Sequence, residues 1–228
     1  RVDRRQRQMC IRDRASRTAK GRPLVNLIEL DEQERVTSLL DVQSFEDEAF
    51  VFMATQNGII KKTPLSEFKR PRKNGKRAIK LDENDELVGT LLTNGSADLM
   101  VVSNAGKAVF FNEKDARSMG RDTRGVKGIT LDRNQQVISL LKPSTESEIL
   151  TVSENGYGKR SKVSDFRKTK RGAKGVIAMQ TTQRNGDLIS AKEVSDTDEV
   201  ILITNKGMLV RTKVSEISLI GRNTQGVK

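Results

Sequence analysis

The sequence predicts an all-β protein, a propeller-like ring of about four-stranded blades. A motif of about fifty residues recurs four times, each copy holds an apolar run, a glycine turn and a basic strand, and no convincing helix interrupts the pattern. A repeat of this length is one supersecondary unit that buries its apolar face against its neighbours. Four strands at this period favour a ring of blades, and an open β-solenoid is the alternative.

Each repeat is predicted to begin with a β-hairpin. The first strands are Phe50–Thr55, Leu99–Ser103, Glu148–Ser153 and Val200–Thr204. The second strands are Ile59–Thr63, Lys107–Phe111, Gly158–Lys162 and Met208–Lys213. The dipeptides Asn57-Gly58 and Asn155-Gly156 indicate type I′ turns, in which both central residues have positive φ. The run 200–203 is apolar on both faces, which indicates a strand covered on each side.

A short acidic-apolar segment follows the hairpin, and we expect Phe68, Phe166 or Ile217 in it to pack inward. A basic or polar loop comes next and ends in a second glycine series: Gly21, Gly75, Gly125, Gly175 and Gly226. The first four of these glycines each precede a predicted third strand: Pro23–Leu30, Arg77–Leu81, Val126–Leu131 and Val176–Gln180. After a polar turn come the predicted fourth strands: Arg35–Leu40, Glu86–Leu92, Gln136–Leu141 and Asp187–Glu193.

The repeat also predicts the domain organisation. Residues 1–16 lack the pattern and are expected to be a tail, whereas residues 17–228 form a partial ring with four complete hairpins. Partial blades at each end indicate that both ends are cut from something longer.

Composition limits the function. A net charge of +12 and a pI near 10 indicate a polyanionic partner, although a solvated surface is the bland alternative. The absence of histidine excludes Ser-His and Cys-His catalysis and removes the commonest metal ligand. Cys10 is the only cysteine, which excludes an internal disulfide and fits a reducing cytoplasm. Gly120 and Gly125 have P-loop spacing, but Val126 replaces the required lysine, so no nucleotide cofactor is expected.

Basic residues concentrate in the second hairpin strands and in the loops. Because equivalent loops of a ring lie at similar height, they predict a basic belt that neutralises successive phosphates. Few aromatic residues lie among them, which favours double-stranded over single-stranded DNA. The predicted DNA-binding residues in the strands are Lys61, Lys62, Lys107, Lys159, Arg160, Lys162, Arg211 and Lys213. Those in the loops are Lys69, Arg70, Arg72, Lys73, Lys76, Arg77, Arg121, Arg124, Lys127, Arg167, Lys168, Lys170, Arg171, Lys174 and Arg222.

Several stretches resemble one family over roughly residues 17–228: the C-terminal DNA-wrapping domain of bacterial DNA gyrase A. The matching stretches are 21–27, 52–58 with 61–63, 155–160, 210–217 and 221–227. The family's signature heptapeptide, Gln-Arg-Arg-Gly-Gly-Lys-Gly, is absent, and residues 171–175 resemble a degenerate copy.

The resemblance implies a six-bladed β-pinwheel that wraps duplex DNA in a positive sense around its perimeter. It implies a non-catalytic part of an ATP-hydrolysing type II topoisomerase that introduces negative supercoils in the bacterial cytoplasm. The implied partners are the rest of gyrase A and the gyrase B protein, with ATP and magnesium used on other domains.

Two other functions are compatible with the pattern. One is the equivalent domain of topoisomerase IV, which bends DNA without strong positive wrapping. The other is a propeller scaffold that binds acidic proteins.

Overall fold

The computed structural model is all β, and its strands follow the repeat. The structure describes residues 34–45, 48–70 and 75–228. The strands are β1 Phe50–Thr55, β2 Ile59–Pro64, β3 Leu87–Thr93, β4 Asp98–Ser103, β5 Lys107–Asn112, β6 Val126–Lys127, β7 Val137–Leu141, β8 Glu148–Ser153, β9 Gly158–Lys162, β10 Val176–Ile177, β11 Leu188–Val194, β12 Glu199–Ile203 and β13 Leu209–Lys213. The helices are single 3-10 turns that follow the hairpins: Leu65–Phe68, Glu113–Asp115, Val163–Asp165 and Val214–Glu216.

The chain divides into two units. One comprises Val36–Arg70 with Arg77–Lys228 and holds all of these elements. The other comprises Arg1–Arg35 with Pro71–Lys76, and only a few of its residues are described. Gly21, the predicted strand Pro23–Leu30 and the predicted boundary at residue 16 lie outside the described residues.

The four predicted hairpins are confirmed as β1–β2, β4–β5, β8–β9 and β12–β13. Their turns are not of type I′. Gly58 has a φ of +80°, but Asn57 is not among the residues with positive φ. The Gly58 N–H donates to the Thr55 carbonyl at 3.0 Å. A turn that ends on a left-handed glycine gives the bulged form of hairpin loop, and the turn at Asn155 and Gly156 closes in the same way.

Each sheet recruits strands from later in the chain. The predicted fourth strands appear as β3, β7 and β11, which pair with the first hairpin strands β1, β4 and β8. The outer edge of β2 pairs with β6 and that of β5 pairs with β10, so these edge partners come from the following repeat. In β9 the equivalent contact is a bridge from Gly158 to Val227. Main-chain hydrogen bonds therefore join neighbouring repeats.

Side chains between neighbouring sheets form the core. Alternate residues of β4 face opposite ways: Leu99 packs with Phe52 and Phe111, whereas Met100 packs with Ile149 and residues of the next sheet. The rings of Phe52 and Phe111 lie 6.2 Å apart. Strands buried on both faces explain the apolar runs of the sequence.

The expected burial of β12 on both faces is wrong. Ile201 is 58% exposed and Ile203 is 68% exposed, although Val200 packs against Leu150. The reason is that β12 packs through Val200 against residues of the β8 sheet on one face, and no described sheet packs on the face that carries Ile201 and Ile203.

Several predicted strands are shorter than expected or do not form. Only the first two residues of the third strands form β6 and β10, because the chain then turns toward the preceding hairpin. There the Gly128 N–H donates to the Gly58 carbonyl at 2.8 Å, and the Ala178 N–H to the Gly106 carbonyl at 2.7 Å. Residues 35–40 and 77–81 form no strand, because no described hairpin edge pairs with them.

The acidic-apolar segments pack inward as predicted. Phe166 is 3% exposed, and Phe68 and Ile217 are partly buried against the hydrophobic clusters. These residues immediately follow the 3-10 turns or end them, so the turns fix how each hairpin leads into its loop.

We predict that Gly175→Ala destabilises the protein. Gly175 has a φ of +79°, and an added Cβ would lie 2.6 Å from the Ala108 carbonyl oxygen. The strain and the clash should lower the free energy of unfolding by about 2 kcal/mol, measured by urea denaturation. Gly120→Ala is the matched control, because an added Cβ there meets nothing within 4 Å. Equal losses in both variants would contradict this role of the close approach.

Candidate nucleic-acid interface

Three basic loops, residues 117–125, 167–175 and 218–226, lie along the outer edges of the preceding hairpins. The Met119 N–H donates to the Lys62 carbonyl at 2.9 Å, and the Thr169 N–H donates to the Phe110 carbonyl at 2.7 Å. The third loop makes the same contact at Arg160, which bridges to the loop at residue 219. One side of each loop is therefore fixed by a hairpin. Exposed basic side chains project from the first two loops, whereas Arg222 is the only basic residue of the third.

An arginine at the same position in each basic loop binds main-chain carbonyls. Arg171 donates from Nε to Asp115 at 2.8 Å and from its terminal nitrogen to Lys127 at 3.0 Å. Arg222 makes the same pair of bonds, to Asp165 at 3.1 Å and Ile177 at 2.9 Å. The third member, Arg121, bonds to the carbonyl of residue 77 and lies 3.8 Å from a carboxylate oxygen of residue 67.

These arginines were predicted to bind DNA, which stays a prediction, and in the structure their guanidinium groups link successive repeats. Each of the three is half-buried, with its donors directed at the 3-10 turn and third segment of the preceding repeat. The planar guanidinium holds its donors in a fixed fork that suits two acceptors at once. A lysine ammonium lacks this geometry, so lysine would not replace arginine here.

Lys61 and Lys159 are fully buried, so the prediction that they contact DNA is wrong. The Lys61 ammonium donates to the carbonyls of Ala78 at 2.8 Å and Thr123 at 3.1 Å, and also to that of Arg121. The Lys159 ammonium donates to the carbonyls of residues 221 and 222 at 2.8 and 2.5 Å. Burial lowers the pKa of Lys61, and burial with the Arg222 charge lowers that of Lys159 to about 8.

Lys62 and Arg160 are also buried, and the same prediction fails for them. Lys62 donates to the Glu113 carbonyl at 3.1 Å, lies 4.0 Å from the Glu113 carboxylate and stands over the Phe50 ring. Arg160 donates to a Glu148 carboxylate oxygen at 2.6 Å, and to Asp196 and a main-chain carbonyl. Lys61 and Lys62 have different partners, but both side chains bond to groups inside the protein. The sequence did not reveal this, since a basic strand looks the same whether its cations face solvent or carbonyls.

The other predicted residues divide by their ion pairs. Four have a carboxylate partner: Lys107 with Asp132, Arg124 with Asp82, Lys168 with Asp98 and Arg211 with Glu199. Surface pairs of this kind contribute about 1 kcal/mol or less, so a phosphate can replace the carboxylate. Burial alone would raise the pKa of Asp98, but hydrogen bonds from Lys168 and Asn112 hold that pKa below its ordinary value.

A further group is exposed and forms no ion pair with the described residues. Its members are Arg70, Arg77, Lys127, Lys162, Arg167, Lys170, Lys174 and Lys213. Lys69 and Lys76 are half-buried, and Arg72 and Lys73 lie outside the described residues. Lys114, which the pattern did not select, is exposed in the 3-10 turn that leads into the loop at 117–125.

The described residues offer little for other chemistry. They contain no group of three or more acidic, cysteine or histidine side chains that could hold a metal ion. None of their helices has the length and apolar character needed to cross a bilayer. Tyr157, the only tyrosine, packs against the core and contacts Arg184 through its ring at 5.2 Å.

We predict that Lys159→Met lowers the free energy of unfolding by about 1–3 kcal/mol at pH 7, because buried carbonyls lose their donor. The pKa of Lys159 is about 8 in the native state and ordinarily 10.5. Between these values the unfolded state holds more protons, so raising the pH stabilises the wild type through this group. The deficit of the variant should therefore be larger at pH 9 than at pH 7, as measured by urea denaturation.

Lys162→Met is the control for this prediction. Lys162 lies on the same strand and is exposed, so its loss should change stability little at either pH. A deficit of Lys159→Met that shrinks as the pH rises would contradict the assignment.

Both the sequence and the fold are similar to those of known proteins. The model of the DNA gyrase C-terminal domain, a β-propeller, matches residues 49–94, 97–144, 147–195 and 198–228. The DNA gyrase A protein of Salmonella typhimurium is 50% identical over 213 residues, which are 93% of this chain and 24% of that protein. Its Escherichia coli counterpart gives the same identity and coverage. The chain thus spans about a quarter of the length of these relatives.

Two solved structures share the fold. The C-terminal domain of DNA topoisomerase IV superposes with a TM-score of 0.85 and 28% identity, covering 91% of this chain and 65% of the other. A DNA gyrase A C-terminal domain gives 0.82 and 29%, covering 91% and 70%. The predicted pinwheel class and the resemblance are confirmed. Because the family model matches every hairpin repeat, the chain belongs to the DNA gyrase C-terminal domain family of β-propellers.

Proposed function

We propose that this chain binds double-stranded DNA along its basic loops and wraps it, as a non-catalytic part of DNA gyrase. The observation that carries the proposal is the recurrence of exposed cations at equivalent loop positions. Arg117 and Arg167 correspond to each other, as do Arg124 and Lys174, and all four are exposed. Cations repeated at one position of a repeat array suit a polymer whose phosphates also repeat.

The kind of nucleic acid follows from the aromatic residues. Phe110 and Phe166 flank the loop at 167–175, and each is 3% exposed. Neither ring is available for stacking on an unpaired base, which single-strand binding uses. Main-chain and side-chain contacts to a phosphate backbone suit a duplex better.

The role within the enzyme follows from family membership. The matched relatives are gyrase A proteins, and DNA gyrase is a type II topoisomerase. We infer that wrapped DNA presents a segment for strand passage and so supports ATP-dependent negative supercoiling. The proposed partners are the rest of gyrase A and the gyrase B protein, whose domains would use ATP and magnesium. The proposed location is the bacterial cytoplasm, at the nucleoid.

Binding should depend strongly on salt. If about six phosphates are neutralised, affinity for a duplex of roughly 40 base pairs should fall about a thousandfold between about 50 and 200 mM salt. Fluorescence anisotropy at several salt concentrations measures the slope. A flat dependence would contradict the proposal and favour a scaffold for acidic proteins.

The loop at 167–175 should contribute directly. Replacing Lys170 and Lys174 by Gln removes two exposed cations that have no ion pair with described residues. The slope of log affinity against log salt should fall by about two, because about two fewer counterions are released. Lys142→Gln with Lys192→Gln is the matched control, since both lysines are exposed beside the inner strands β7 and β11. Equal loss of affinity in both double variants would exclude this loop from the DNA path.

The similarity to the topoisomerase IV domain supports a second candidate function, which is DNA bending without positive wrapping. Relaxing and resealing a plasmid in the presence of the chain separates the two. Trapped positive writhe supports wrapping of the gyrase kind. DNA binding without trapped writhe supports bending.

A further inference from the structure

The buried ammonium groups of Lys61 and Lys159 each lie beneath a turn of the same sequence type. The turns are Gly120–Gly125 and Gly221–Gly226, which share the pattern Gly-Arg-x-Thr-x-Gly. In each, the threonine hydroxyl donates to the carbonyl of the first glycine, at 3.0 Å in one and 2.9 Å in the other. The buried lysine fills the inner side of the turn by donating to its carbonyls.

The orientation of these carbonyls fixes the opposite side of the turn. In a planar trans peptide the C=O and N–H bonds point in opposite directions. The carbonyls of Arg121 and Thr123 point at the Lys61 ammonium, so the N–H groups of Asp122 and Arg124 point away from it. By the same argument the N–H groups of residues 222 and 223 point away from Lys159.

These outward N–H groups have no acceptor among the described residues, whereas the loop N–H groups nearer the hairpins do have one. Asp122, Arg124 and Asn223 are exposed, so the donors lie at the surface. A cation bound to the oxygen of a peptide group polarises that group and strengthens its N–H as a donor. The outward N–H groups are donors directed at solvent, and the ammonium adds a fixed positive charge behind them.

The middle loop provides the comparison. Val109 occupies the position of the buried lysines, and in this loop the Thr130 hydroxyl donates to a different carbonyl, that of Gly172, at 2.7 Å. This loop instead carries Lys170 and Lys174, exposed and without an ion pair to described residues. The loops that have a buried lysine carry fewer such side chains: Arg124 is paired with Asp82, and residue 225 is Gln.

We propose that the turns Gly120–Gly125 and Gly221–Gly226 are main-chain phosphate sites, each charged from beneath by a buried lysine. The two lysines are positioning residues: they touch no phosphate but orient and polarise the peptide groups that do. In the middle loop, the exposed side chains of Lys170 and Lys174 would bind phosphates directly. The proposal rests on the proposed function, because it identifies which groups of the DNA path hold phosphates. Asp122 weakens the first turn, so the second is the stronger site.

Duplex DNA of about 12 base pairs, titrated into the labelled 228-residue chain, tests the sites in the wild type. The amide resonances of residues 122, 124, 222 and 223 should shift at saturation more than those of the hairpin strands. The Lys159 side-chain titration should move to higher pH in the presence of DNA, since the phosphate stabilises the ammonium. Arg222 and Asp165, the charged groups that face Lys159, are present with and without DNA, so the change reports the phosphate.

Variants give the second arm. Lys159→Met should reduce affinity for a duplex of roughly 40 base pairs about tenfold and lower the salt slope by about one, with a smaller effect for Lys61→Met. Lys142→Met is the matched control, because it removes one lysine that also donates to a main-chain carbonyl, that of Leu92 at 3.2 Å. Its affinity should stay within about twofold of the wild type.

The outcomes are distinguishable. If the wild type binds DNA with the expected salt dependence but the four amides and the Lys159 titration do not respond, this inference is wrong and the proposed function stands. If a lysine variant folds and binds as the wild type does, its turn is not such a site. If the wild type does not bind DNA at low salt, the proposed function itself fails. Should the variants not fold, the wild-type titrations decide alone.

Discussion

The outer edge of the second strand in each hairpin needs hydrogen-bond partners, and in the first three hairpins those partners come from the next repeat. Edge strands with unpaired main-chain groups are a hazard that proteins cover or pair. Here β6 and β10 provide the cover, and the loop residues before them extend it by further main-chain bonds. The position of the basic loops follows from this requirement, since a segment that must reach back to a neighbouring hairpin is held against its outer side. Architecture and proposed interface thus share one cause.

The same constraint divides the cations into two populations. Wherever a loop lies on a hairpin, carbonyls of the loop face inward and need donors. Lys61 and Lys159 supply them, whereas Arg121, Arg171 and Arg222 donate from the loops to carbonyls of the preceding repeat. All five are buried or half-buried as a result. A buried charge is tolerable only with such partners. The basic residues of this chain therefore have two roles. Some hold the repeats together, and others are exposed and available to a polyanion.

The repeat made the fold predictable, because hairpin turns and strand periods are local properties of the sequence. The hairpins and the inner strands β3, β7 and β11 lie where the pattern placed them. What failed depends on partners far away in the chain. The third strands end after two residues because the chain then bonds to another hairpin, and β12 is exposed because no described sheet covers its second face. For the site, the sequence showed where in each repeat the basic residues lie. The pattern of residues along β2 and β9 did not show whether a lysine ammonium faces main-chain carbonyls or water.

The edge partners always come from the following repeat, so the contacts between repeats are the same in one direction along the chain. Each of the first three hairpins is held by segments that come after it, so a disturbance in a later repeat removes support from the repeat before it. Nearest-neighbour arrays of this kind lose structure from the least supported unit inward. In the described part of the chain that unit is β12–β13, the two-stranded sheet with exposed isoleucines. We therefore expect β12–β13 to lose structure before the three described hairpins whose outer edges a following repeat pairs.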